Sequence, residues 1–497
     1  MPFRGRTEGL RFNTASSTPQ GGARGSEWKG KEGGGTSPWR GNNVKNSYAL
    51  KPQSGPDISL HPLGDMLTTI TNDCLDTAAK LVTGTSSITD CKYIGSYNWL
   101  DAKDPTIIIP GKPPNWTPLL NPEKLKEDSG VYYRDPNAAR FAKYPMEPSV
   151  QAVLKTDAKF PTDEVDIFAC GSTMGNLLRF VRHYGKPFRF KVQVIGNTVF
   201  FSRKENSPTE VISGVRGFGH TFPEAYTTWE KEVKGSESNQ RLIQYDFAGL
   251  KCIVRFECDG YFGDSSAYNT LSIMTPDATS LTEAFLGTPV SQVAAKPNEN
   301  LTILNRGSEV PQQSIFDLKT RSGRYGKQID MLDILPLLWV RQVPNFIIAY
   351  HDGFGLFKDI KTEDVSKDLK DWEVQNQDAL KRFAVILRQI IDFAMNIKSG
   401  VIEVYCPSVN RLEIRKPFEN GFNVLPQSLR SKWENGFEEE DDSDYVDASE
   451  DVPSGGRVRH ENEVSCIRFN DADDEDDDKD FTACSAESCG YCGHCSY

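Results

Sequence analysis

Long apolar runs are missing from this 497-residue sequence, and none stands at its N-terminus. A membrane-spanning helix needs about 20 apolar residues and a secretory leader a shorter run near the start. The expectation is therefore a soluble, non-secreted protein of the nucleus or cytoplasm, with no membrane partner. Internal repeats are also missing, which argues against solenoids and propellers. Paired cysteines are lacking through most of the chain: seven of the 11 stand singly and four crowd the last 14 residues. Outside the secretory route that distribution argues for free thiols rather than a disulfide framework. Hydrophobic residues make up only 38% of the chain. A core must therefore be concentrated in part of it, as one large domain or two ordinary ones.

Charge divides the chain. The net charge is −12, yet residues 434–480 alone hold 20 acidic against four basic residues, residues 1–56 hold nine basic against three acidic, and 57–433 are close to neutral. The Gly-, Ser- and Arg-rich head, with Trp28 and Trp39 isolated in it, cannot bury enough apolar surface to offset its chain entropy. It reads either as an Arg/Gly-type RNA-binding arm or as a solvated tail. The organisation expected is a basic tail over 1–56, a folded domain over 57–430, an acidic disordered region over 431–483 and a Cys-rich segment over 484–497.

Within the body, Leu60 to Val82 mixes helical spacing with Pro62 and Gly64. Cys91 to Leu100 and the run from Ile107 read as strands. Ile167 to Ala169 is a short strand feeding a helix that carries Leu177, Leu178 and Val181 on one face. Two hairpins turn at Gly196-Asn197 and Ala248-Gly249, over 188–203 and 242–257. Residues 264–312 lack periodicity and read as a long insertion with one short helix. Strands are expected over 315–318 and on both sides of Asp352-Gly353, and an apolar run, Met331 to Val340, carries Pro336 inside it. Glu373 to Lys398 has the clearest helical spacing, and a last hairpin ends near Pro417. The fold class is α+β: a bent mixed β-sheet with flanking helices.

Chemistry concentrates at strand ends. In FECDGYF, Glu257 and Asp259 are two apart and share a strand face; in FDLKT, Asp317 and Lys319 do the same. Glu224 opens a helix behind Pro223. Each pair alone is a common solvated strand end. Their order, each closing an apolar run, favours one cleft in which three or four carboxylates hold a hard divalent cation beside a lysine.

These segments resemble the DXO-like decapping nucleases, and the chain is similar to a divergent fungal member of that family from about Tyr93 to Pro417. GHTFPEAY resembles the family's Gly-aromatic-x-Phe-Glu segment, FECDGYF its Glu-hydrophobic-Asp motif, FDLKT its Glu-Leu-Lys-Thr motif with Asp for Glu, and VPNFIIAYHDG its Val-Pro strand. The resemblance implies a PD-(D/E)XK nuclease fold and a metal-dependent RNA 5′-end hydrolase of decapping, pyrophosphohydrolase or 5′–3′ exonuclease type. It implies metal ligation by Glu224, Glu257, Asp259 and Asp317, and catalysis by Lys319 with Glu257 and Asp259. The implied partners are an RNA 5′ end, incompletely or non-canonically capped, and a 5′–3′ exoribonuclease. Two family residues are missing: Gly171 stands where the family has Arg, and Leu337 near where it has an active-site Gln. Their loss leaves a second reading, an RNA-binding or nuclease-partner protein of weakened activity on the same fold.

Other features weigh less. Cys484, Cys489, Cys492 and Cys495 could wrap one Zn²⁺ or an iron–sulfur cluster, or form a redox-labile tail. The Asp-rich run at Asp473 to Asp477 matches half of an isoprenyl diphosphate synthase pattern by coincidence, because the second motif is missing. His220 and His351 read as structural. The basic head generates a prediction: deleting residues 1–56 should weaken single-stranded RNA binding at low salt, with a shallower salt dependence, and leave turnover at saturating RNA unchanged. Equal affinity across a salt series, measured by fluorescence anisotropy, removes the arm reading.

Overall fold

In the computed structural model, the residues described are 56–436 apart from 185, 213, 264–299 and 325–328. They belong to one compact unit, Ser54–Tyr497. The elements open with β1 (Met66–Ile70), α1 (Asn72–Ala79), β2 (Ile88–Leu100), β3 (Thr106–Gly111), β4 (Asn115–Trp116), α2 (Pro136–Arg140), α3 (Glu147–Thr156), β5 (Ile167–Cys170) and α4 (Gly171–Val181). They continue with β6 (Phe188–Ile195), β7 (Thr198–Arg203), α5 (Thr221–Tyr226), β8 (Thr227–Thr228), β9 (Ser236–Phe247), β10 (Leu250–Glu257), β11 (Gly260–Tyr261), β12 (Thr302–Gly307) and β13 (Ile315–Ser322). The last are α6 (Met331–Arg341), β14 (Asn345–His351), β15 (Phe357–Asp364), α7 (Ser366–Gln375), α8 (Gln377–Asn396), β16 (Val401–Ser408), β17 (Arg411–Arg415) and α9 (Gln427–Asn435).

The strands form two mixed sheets. The larger has the order β1-β17-β16-β6-β7-β5-β10-β9-β2-β3-β12, the smaller β15-β14-β13-β11-β4-β8. The expected hairpins are both present: β6 pairs with β7 around Gly196, and β9 with β10 around Ala248 and Gly249. Both residues of the second turn have positive φ, 50° and 78°, as a two-residue hairpin loop matching the twist of its strands requires. β5 lies between β7 and β10, parallel to both, and is buried along its whole length, as an apolar four-residue strand predicts. At the far edge, β1 pairs antiparallel with β17.

Helices cover both faces of the large sheet. One core gathers α1, α4, α6, α7 and α8, with Leu380, Phe383, Leu387 and Ile390 of α8 fully buried. A second lies beneath α3 and α9, where Trp433 packs on Phe160, Phe168 and Phe200. A third, between α5 and the small sheet, holds Trp116, Phe222, Phe316, Leu318 and Phe357.

Several expectations are corrected. Leu60 to Val82 contains a strand and then a helix, with Thr71 capping α1 through the Cys74 amide. The expected helix 373–398 is broken at Asn376, whose side chain donates to Trp372 O at 2.8 Å while its own carbonyl accepts from Leu380 N. Such local side-chain bonds compete with the helical ladder. Pro336 sits inside α6 without ending it. Of the segment read as an insertion, 264–299 lies outside the described residues, but Thr302–Gly307 is a strand parallel to β3. The sheet expected to be single is two.

The folded body also runs past the limit expected at 430. Trp433 is 2% exposed and its Nε1 donates to Thr198 Oγ1 at 2.9 Å. Ending the chain at 430 rather than 436 should lower its melting temperature, and Trp433→Ala in the full chain should cost about 3–5 kcal/mol. Calorimetric melts that coincide for the two truncations would show that α9 does not hold this face together.

Candidate active site

Glu257 is the last residue of β10. Beyond it the Cys258 amide still donates to Asn239 O of β9 at 2.9 Å, and then the chain leaves the large sheet. Gly260 and Tyr261 pair instead with Phe316 and Ile315 of β13. A Cβ on Gly260 would lie 2.3 Å from the Phe316 ring and 2.9 Å from Pro114 O, so the crossing needs glycine. β10 and β13 are therefore not neighbours; β11 carries the chain between the sheets.

Asp259 sits at the crossing itself. The antiparallel register of β11 brings it opposite Asp317, and its Oδ2 accepts the Leu318 amide at 2.7 Å. That bond satisfies a strand N–H which β11 begins too late to meet. Glu257 and Asp259 are each partly exposed but walled by protein. Burial pushes the Glu257 carboxyl up to about 7, softened by a hydrogen bond from Gln240 and by the charges of Arg255 and Arg341. Burial and then the charge of Asp317 raise Asp259 well above the ordinary carboxylate range. Asp259 thus stands close enough to Asp317, and then to Glu257, for their charges to oppose its ionisation. Lys319, 8% exposed, lies two residues beyond Asp317 on the same strand face.

Glu224 does not join them. Its helix α5 is held at its start by Asp128, whose carboxylate accepts from the His220 and Thr221 amides at 2.9–3.2 Å. α5 buries Phe222 and Tyr226 against Phe316 and Leu318. Those residues alternate with Asp317 and Lys319, so α5 covers the opposite face of β13. Glu224 is exposed; its carboxyl is raised by the surrounding protein and by Asp128. Among the described residues no three His, Cys, Asp or Glu side chains stand close enough to hold a metal ion.

A residue that the sequence reading missed stands in the trio. Arg341, the last residue of α6, is 2% exposed and its Nη1 donates to Asp317 Oδ2 in an ion pair. Its stem passes Gly171, the first residue of α4: a Cβ there would meet Arg341 Cγ at 3.4 Å, Phe256 Cβ at 3.5 Å and Arg255 O at 3.6 Å. Arg341 thus packs its stem against the start of α4 at Gly171. Leu337 stands one turn before Arg341 on α6, beside Arg179, Arg182 and Asp333. The signal in the sequence was slight: an arginine closing the apolar run that begins at Met331, where a last-turn cation is ordinary.

The histidines are structural. His351, 4% exposed, accepts the Gly353 amide on Nδ1 at 3.0 Å and packs on Phe218 and Phe357. His220 stacks on Tyr132 with ring centroids 3.6 Å apart, and burial holds it down to about 4, hence neutral. Cys484, Cys489, Cys492 and Cys495 lie outside the described residues. No described helix is long and apolar enough to cross a membrane.

Among solved structures, the chain is similar to S. pombe Rai1 at 11% identity and a TM-score of 0.44, covering 71% of this chain and 99% of that one. It is similar to Scheffersomyces stipitis Rai1, solved in complex with (3′-NADP)⁺ and calcium ion, at 11% identity and 0.44, covering 76% and 100%. Candida albicans Rai1, in complex with pU5-Mn²⁺, shares 10% identity at 0.42, covering 75% and 99%. Likenesses at this level do not carry an activity across. Among curated proteins none matches the sequence. A family described as Domain of unknown function (DUF8563) matches residues 67–432, and the chain belongs to that family.

Proposed function

We propose that the chain is a metal-dependent hydrolase of RNA 5′ ends, cleaving a phosphodiester or pyrophosphate bond. The observation that supports this reading best is the meeting of Glu257, Asp259 and Asp317 at the sheet crossing with Lys319 on the same strand face. Burial raises Glu257 and Asp259, and the charge of Asp317 raises Asp259 further; a hard cation would relieve these penalties once the three carboxylates draw together around it, closer than they stand in the structure. Glu224, on the other face of β13, is left out of the ligand set. Mg²⁺ or Mn²⁺, when bound, supplies Lewis-acid stabilisation of the phosphoryl oxygens and lowers the pKa of a bound water. Lys319 holds the attacking water or the phosphate by donating to it. Arg341 orients Asp317 and brings a fixed positive charge toward the negative charge that develops on the leaving oxygen.

The second reading is an RNA-binding or exoribonuclease-partner protein of weakened activity. One observation favours it: the Arg341 guanidinium already neutralises Asp317, as a cation would. The two readings separate on metal binding. In the hydrolase, Asp259→Ala abolishes both Mn²⁺ binding by calorimetry and release of labelled 5′ product from RNA carrying a 5′ phosphate or an incomplete cap, with the fold retained. Arg341→Gln tightens Mn²⁺ roughly tenfold, about 1.4 kcal/mol, because guanidinium and metal compete for Asp317. Equal background release by wild type and Asp259→Ala leaves the RNA-binding reading in place.

Protonation gives an independent test. The Glu257 carboxyl is raised from 4.5 to about 7, so the folded state holds this proton more tightly than the unfolded chain does. Its stabilising contribution is complete below about pH 4.5 and is lost as pH rises through about 7. In metal-free buffer Glu257→Gln should therefore gain on wild type in urea melts as pH climbs from 5 to 8, the gap closing in acid. A pH-independent gap rejects the raised carboxyl.

A further inference from the structure

On the face of the large sheet that carries Glu257, a second group of charges lies away from the candidate active site. Arg189 and Lys191 alternate along β6, Lys204 follows β7, and the register of the two strands puts all three side chains on one face. They line a small cleft of about 30 Å³, open to solvent, with His61, Phe418 and Glu419 at its rim. Arg189 is fully committed. Its Nε donates to Glu403, and its two terminal nitrogens donate to His61 O at 2.7 Å and Pro62 O at 3.0 Å. Lys191 and Lys204 are not. Among the described residues neither ammonium makes a hydrogen bond or an ion pair, although Lys191 is only 8% exposed. Lys191 Nζ sits 4.5 Å from the centroid of Phe422, on a strap held to β6 by Gln193, whose Oε1 accepts the Val424 amide at 2.7 Å.

Charge there is uncompensated. Three cations face Glu403, already bonded to Arg189, and Glu419, which is exposed. Burial holds both ammoniums below their ordinary range, with Lys204 and Arg189 adding to it at Lys191, Arg189 adding to it at Lys204, and Glu419 opposing it at both. A protein that keeps a buried ammonium without a partner gains by binding an anion. The chemistry of the open donors selects the anion. A carboxylate is best read by the planar fork of an arginine, and the arginine here is spent. Two lysines converging as point charges suit a phosphate.

We propose that Lys191 and Lys204 form a phosphate-binding pocket. Its ligand is a free phosphate or a phosphate within an RNA strand. The second source has geometry behind it. β7, β5 and β10 run parallel, so Lys204 and Glu257 leave the same edge of the sheet two strand spacings apart, roughly 10 Å across. The pocket stands apart from the hydrolase reading, because binding is measured without metal or turnover.

The test uses the full chain in EDTA at fixed ionic strength, as wild type, Lys191→Met, which keeps the stem on Phe422, and the more exposed Lys204→Gln. One arm titrates inorganic phosphate by calorimetry; the other measures affinity for a single-stranded RNA across a salt series. Each substitution is expected to weaken phosphate at least tenfold, or to lower the RNA salt slope by about 0.7 per lysine, with the melting temperature unchanged or raised. A response in the phosphate arm assigns a free phosphate, and a response in the RNA arm alone assigns the strand. Identical behaviour of wild type and both variants in both arms overturns the pocket.

Discussion

The passage of the chain from one sheet to the other between Glu257 and Gly260 governs the chemistry of this protein. A strand that ended at Glu257 in a loop would leave its carboxylate in water. Here Gly260 and Tyr261 are captured by β13, and the capture sets Asp259 opposite Asp317. Like charges facing across a strand pair are costly. The fold meets that cost with a hydrogen bond from the Leu318 amide to the Asp259 carboxyl, an ion pair from Arg341 to Asp317, and a proton held more tightly on Asp259. Each of these devices is one that the proposed cation or phosphate would displace or reinforce.

Arg341 ties the crossing to the helical layer. It ends α6, whose neighbour α4 begins at Gly171 beneath the arginine stem. The guanidinium is therefore positioned by packing between two helices rather than by the strand that carries Asp317. A displacement of either helix would reach the carboxylates through this one side chain. The absence of a side chain at Gly171 and the presence of Arg341 form one arrangement seen from two positions in the chain.

What could be read from the sequence followed from local rules. The hairpins at Gly196 and Ala248-Gly249 rest on turn chemistry within a few residues, and β5 and α8 on the spacing of their apolar residues. The shared faces of Glu257 with Asp259 and of Asp317 with Lys319 were legible from two-residue spacing, although only Glu257 closes a strand. The remainder depends on contacts distant in the chain. No local pattern distinguishes one sheet from two, since that depends on where the chain leaves β9 after β10 to join β13 through β11. Glu224 has the sequence context of a ligand, yet its helix is drawn by Phe222 and Tyr226 to the opposite face of β13. β12 and α9 are polar enough to pass for loop, and they are fixed by a parallel pairing with β3 and by a single buried tryptophan.

One feature of the large sheet bears on how the protein is made. Its edge strand β1, near the start of the folded body, has β17 as its sheet partner, some 345 residues later. While the body emerges from the ribosome at 5–20 residues per second, β1 has no partner for tens of seconds. The apolar face under α8, which follows β1 by some 300 residues, is incomplete for nearly as long. Closure of so distant a pair is slow and leaves unpaired strand edges exposed meanwhile. The nascent chain therefore carries an open sheet edge through that interval, which is when it is most prone to association with other chains.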